Sequence, residues 1–92
     1  MIKEYPRTVQ EAVKRLLLEL PDWDKLGIKN TSEEDLATLH MTLGNYIRNE
    51  FGLWRNNKEL LRDCLPESSE QKADDASSVI IKALWKSLQA AA

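Results

Sequence analysis

Three places in the chain carry side-chain types that do chemistry: His40, Cys64 and the pair Asp74-Asp75. An imidazole serves as a general acid or base when it stands in a cleft beside a second polar group of tuned pKa. His40 instead falls among Leu36, Leu39, Leu43 and Ile47 at helical spacing, and reads as a hydrogen-bonded core histidine. A cysteine nucleophile needs a lowered pKa and an adjacent base. Nothing near Cys64 in the sequence supplies one, so it reads as a small buried apolar side chain. Asp74 and Asp75 stand where the last apolar-periodic stretch begins. There, aspartates cap free N–H groups and meet the positive end of the helix dipole, a simpler role than metal or acid–base work. Glu33, Glu34 and Asp35 open an earlier stretch in the same way. Gly27, Gly44 and Gly52 are scattered and make no phosphate loop. One Cys and one His exclude a disulfide framework and a Cys/His metal site within one chain. The sequence therefore reads as non-enzymatic, with no cofactor.

Composition narrows the rest. The 92 residues suit one helical domain spanning 1–92. With 30% charged and 42% hydrophobic residues the chain is of globular type, and its formal charge of −2 excludes both a basic nucleic-acid coat and a polyacidic DNA mimic. Residues 21–40 carry a net of −3 and residues 41–65 a net of +1, a mild dipole only. No apolar run reaches the ~18 residues of a membrane span. The opening Met1-Ile2-Lys3-Glu4-Tyr5-Pro6 lacks an apolar core of signal-peptide length. A lone Cys64 accords with a reducing compartment, and the cytoplasm is the expected location.

The elements follow from caps and periodicity. Thr8 and Glu11 make a capping box ahead of Val9, Ala12, Val13, Leu16, Leu17 and Leu20, and Pro21 stops that helix. Residues 22–28 suit a short turn of helix that tucks Trp23 and Leu26 under the bundle. Thr31 and Glu34 repeat the box spacing ahead of one long helix. Leu36, Leu39, Leu43, Ile47 and Phe51 share its arc, and Gly52 ends it in a left-handed cap. Leu53-Trp54 reads as a hydrophobic connector; Trp54 is either a second anchor for a partner or, from its place after a helix cap, a plug for the core. A short helix capped by Asn56 turns Leu60, Leu61 and Cys64 inward before Pro66. Residues 67–73 form a polar loop, and a last helix runs from Asp74 or Asp75 to about Gln89. No segment alternates apolar and polar over strand length. The fold class is all-α, a compact single-domain bundle of four to five short helices.

The stretch from Leu39 to Trp54, with Ile47-Arg48-Asn49-x-Phe51-Gly52-Leu53-Trp54 at its centre, resembles the signature of a small uncharacterised bacterial family, a domain of unknown function. Asp74-Asp75-Ala76-Ser77-x-x-Ile80-Ile81-x-x-Leu84-Trp85 resembles its second half, and the likeness covers nearly the whole chain. Such sequences often carry His-Pro ahead of Asp-Asp-Ala-Ser, where this chain has Lys72-Ala73. The resemblance implies a fold and no activity.

Two features suggest binding. Arg48 lies off the apolar arc, roughly 100–120° from its centre. It either ties the long helix to Asp74 or Asp75, or joins Arg55, Lys58 and Arg62 on a surface that meets an acidic partner. The last helix carries a second apolar stripe, Ile81, Leu84, Trp85 and Leu88, beside Ala76, Val79, Ile80 and Ala83. Together the two stripes cover roughly 240° of the wheel. Such a helix is either wrapped by its neighbours or shows one stripe to a partner, with Trp85 as anchor. The expected function is a non-catalytic protein-binding module of immunity, antitoxin, inhibitor or adaptor type. Its partner is another protein or a second copy, and the candidate contact residues are Ile81, Leu84, Trp85, Leu88, Arg48 and Arg55. The alternative is a small helical nucleic-acid-binding regulator, which the pI near 5.4 disfavours.

Overall fold

Thr8 opens the first helix, α1 (Val9–Glu19), by accepting a hydrogen bond from the Glu11 N–H at 3.1 Å. The return half of the expected box is replaced by a bond from the Thr8 hydroxyl to the Glu11 carboxylate at 3.3 Å. A second cap comes from far along the chain: the Val9 N–H donates to Asp63 Oδ2 at 2.7 Å. Pro21 ends α1, since the residue before a proline is pushed out of helical geometry, and Leu20 is extended at φ −75°, ψ 138°. The computed structural model describes residues 4–90; residues 1–3 and 91–92, with parts of the opening segment and the final Ala run, lie outside the described residues.

α2 (Asp22–Lys29) follows at once, with Asp22 and Asp24 at its positive end. It buries Ile28, while Trp23 is 75% and Leu26 58% exposed. The expected tucking of these two side chains is thus corrected, and the helical wheel gives the reason. Trp23 and Leu26 lie about 60° apart, whereas Ile28 lies about 140° from Trp23, so a two-turn helix that buries Ile28 turns the other two outward.

The single long helix expected over residues 31–51 is also corrected. It is a 3₁₀ segment, Glu33–Leu39, then a break at Thr42 (φ −102°, ψ −80°), then α3 (Leu43–Glu50). Thr31 does not cap it, because its hydroxyl donates to the Gly27 carbonyl at the end of α2 at 2.8 Å. Further on, the Thr38 hydroxyl donates to Asp35 O at 2.6 Å and the Thr42 hydroxyl to Leu39 O at 3.4 Å. Hydroxyls that bond to nearby carbonyls compete with regular helix bonding. The apolar arc survives the break: Leu36, Leu43, Ile47 and Phe51 are buried and Leu39 packs against them.

Gly52 adopts the left-handed cap, φ +70°. A short 3₁₀ turn (Leu53–Arg55) then leads through Asn56 and Asn57 into α4 (Lys58–Cys64). Leu53 fills the core, and Trp54 does not; it is 57% exposed. Asn57, rather than Asn56, precedes α4, and its side chain donates to Pro6 O at 2.9 Å and Phe51 O at 2.8 Å. This ties the amino-terminal segment across the turn, with the Tyr5 ring against Gly52.

α5 (Ala73–Ala90) packs against α1, α2, α3, α4 and both 3₁₀ pieces. Its two apolar stripes are why: a helix apolar over most of its circumference is stable only when surrounded. Among the described residues the fold is all-α, five α-helices and two 3₁₀ segments around one core cluster. Its radius of gyration is 12.5 Å, against roughly 12 Å for a packed chain of this length.

Candidate functional site

The wrapping of α5 decides the fate of its second stripe. Ile81, Leu84 and Leu88 are buried, so they form core and offer no face to a partner. Trp85 is half-buried, and its indole N–H donates to the Thr31 carbonyl at 2.7 Å. Gln89 donates to Lys29 O at 2.6 Å, and Lys82 pairs with Glu33 at 3.4 Å. The carboxy-terminal half of α5 is therefore fastened to the end of α2 and to the segment after it. Of the two roles open to this stripe in the sequence, the structure takes the wrapped one.

Arg48 is buried at 5% exposure. Its Nη1 donates to Ser77 Oγ at 3.0 Å and its Nη2 to the His40 carbonyl at 3.2 Å, while its Nε stands 3.5 Å from Asp74 Oδ1 without a hydrogen bond of good geometry. The guanidinium also lies 5.5 Å from the Trp54 ring centre. Gly44 makes room for it, since a Cβ there would stand 2.8 Å from Nη1. The break at Thr42 leaves the His40 carbonyl outside regular helix bonding, and Arg48 occupies it. This is the tie between α3 and the start of α5. It removes Arg48 from any shared surface with Arg55, which stays exposed in a polar hollow with Tyr5, Asn49, Glu50 and Trp54.

The chemistry-bearing residues fall apart in space. Cys64 is buried, and burial, then the neighbouring Asp63 charge, push its thiol up to about 12. A thiol so raised is not a nucleophile near neutral pH. His40 is half-buried rather than in the core, because the break turns it toward a shallow hollow shared with Leu36, Met41 and Ile81. Asp74 and Asp75 lie in the first turn of α5 as expected of dipole partners, with Asp74 turned to Arg48. Among the described residues no three His, Cys, Asp or Glu side chains are grouped to hold a metal ion. Nor is any helix among them long and apolar enough to cross a membrane.

What the structure does assemble is an open groove of about 630 Å³ between α2 and α3. Leu20, Ile28, Leu39 and Leu43 line its inner part, and Trp23 and Tyr46 stand on opposite rims. Leu20 and α2 residues 23, 24, 27 and 28 form one wall, and Leu39, Thr42 and α3 residues 43 and 46 the other. Glu19 and Asp24 are the charged residues that line it among the described residues. The sequence reading missed this site by sending Trp23 inward; the 140° between Trp23 and Ile28 was the available signal.

A family profile described as a domain of unknown function, DUF6794, matches residues 5–88. The chain belongs to the DUF6794 family. The match runs from Tyr5, packed on Gly52, to Leu88, the last buried residue of α5, so the DUF6794 domain coincides with the packed body described above. No curated protein and no solved structure matches the chain.

Proposed function

We propose that the chain is a non-catalytic protein-binding module that docks its partner in the α2–α3 groove. One observation carries the reading: Trp23, 75% exposed, stands at the rim of an open apolar groove of about 630 Å³. Leaving a large aromatic in water forgoes roughly 1.5–3 kcal/mol of burial, and exposed apolar patches with an aromatic anchor mark docking sites. An immunity, antitoxin, inhibitor or adaptor role fits such a groove. A single cysteine, buried and protonated, supports a cytoplasmic setting.

A photo-crosslinking side chain at position 23 tests it in extract of the native host. A defined protein crosslinked from position 23, and not from the exposed Lys14, supports the reading. Nucleic acid retained through Arg55, Lys58 and Arg62, with no protein crosslinked at position 23, would instead favour a regulator that binds phosphates.

A further inference from the structure

We propose that residues 33–42 are a two-state segment, 3₁₀ in this structure and α-helical in its other state, with Arg48 as the latch that holds the first; this stands apart from the docking reading above. The bonding of the segment is the first ground. Glu33–Leu39 runs seven residues in 3₁₀ geometry, where runs rarely exceed about four. Thr42 gives no side-chain cap to α3, and the carbonyls that a continuous helix would offer to its first N–H groups are taken by side chains. The Thr42 hydroxyl donates to Leu39 O at 3.4 Å, and Arg48 Nη2 donates to His40 O at 3.2 Å. A continuous helix would bond the Leu43 and Gly44 N–H groups to those same two carbonyls, so the two schemes compete.

Periodicity is the second ground. Leu36, Leu39, Leu43, Ile47 and Phe51 keep α spacing straight through the break, so the sequence supports the uninterrupted helix as well. His40 follows Leu36 by about 120° in 3₁₀ geometry and by about 40° in α geometry. It is half-buried at the edge of a hollow in this structure, and in the other state it would join the apolar arc.

Room for the latch is the third ground. Gly44 leaves space for Nη1, and a Cβ there would stand 2.8 Å from it. The guanidinium that closes on His40 O also reaches Ser77 and Asp74, so the latch runs from the segment to α5. The segment is a wall common to two hollows. Leu39 and Thr42 face the α2–α3 groove, while Leu36, His40 and Met41 face the hollow of about 450 Å³ against α5. One change of bonding therefore reshapes both.

The test is NMR relaxation dispersion on the full chain, ¹⁵N-labelled. Exchange on the μs–ms timescale is expected over residues 33–43, with Arg48 and Ser77 following it and the other state at about 0.1–10%. Two variants then push the equilibrium. Thr38→Ala removes the hydroxyl that donates to Asp35 O at an exposed position, and supplies the best helix former; the helical population should rise about threefold. Gly44→Ala sets a Cβ against Nη1, the far end of a flexible side chain, so the latch gives way while the core is kept. The helical state should then become the major one, read as α-type Cα shifts over 33–42 and as a move of the signals of His40, the one imidazole in the chain. Should Gly44→Ala fail to fold, Thr38→Ala decides. A helical population that Thr38→Ala leaves unchanged overturns the proposal, as do unaltered Cα shifts in a folded Gly44→Ala. Exchange spread evenly over α1, α4 and α5 reports opening of the whole domain and overturns it too.

Discussion

The Trp85 indole and the Thr31 carbonyl meet at 2.7 Å across 54 residues of sequence, and this bond pins the end of α2 to α5. Trp85→Phe keeps most of the ring and removes the donor. The expected cost is about 1 kcal/mol in urea unfolding, since the half-buried carbonyl regains some water. A larger loss on Trp85→Ala would come from packing.

Arg48→Ala leaves Ser77 Oγ and the His40 carbonyl without their buried donor. Destabilisation of about 2–3 kcal/mol is expected. Arg48→Lys should recover little, because one ammonium cannot replace a planar fork that reaches two acceptors. Unfolding curves of the two variants would check this, and an Arg48→Ala protein as stable as the parent would remove the tie from the account.

Gly52→Ala places a Cβ at φ +70°, 2.5 Å from the Tyr5 ring. The loss should reach about 2 kcal/mol or more. In a Tyr5→Ala background the clash disappears and only the backbone strain remains, so the two substitutions should be clearly non-additive in a double-mutant cycle.

The raised Cys64 pKa gives a pH dependence of known sign. Burial moves it from an ordinary 9.0 to about 12, so the folded state holds a proton that the unfolded state releases first. The associated stability is fully present below pH 9 and is lost as pH rises toward about 12. Thermal unfolding between pH 8 and 11 should therefore fall more steeply for the parent than for Cys64→Ala. Parallel slopes would contradict the assignment.

Residues that act locally were legible in the sequence. Thr8, Pro21, Gly52 and the inward set Leu60, Leu61 and Cys64 behave as their types and spacing demand. What escaped depends on competition between distant partners. The Thr31 and Thr38 hydroxyls find carbonyls and split a helix that periodicity alone would run through. Asp63, in the last turn of α4, caps α1 at Val9, a pairing no spacing rule reaches. The site was the least legible part. A tryptophan between two aspartates after a proline carries no mark of facing outward until its neighbour Ile28 claims the core.

The place of α5 in the chain bears on how the domain comes into being. Every other element leans on this helix, yet it is the last of them to leave the ribosome. Until it emerges, Leu16, Ile47 and Leu60 lack the helix that covers them in the finished fold, and the nascent chain carries bare apolar side chains. Closure of the core should thus come late, only once this helix is complete.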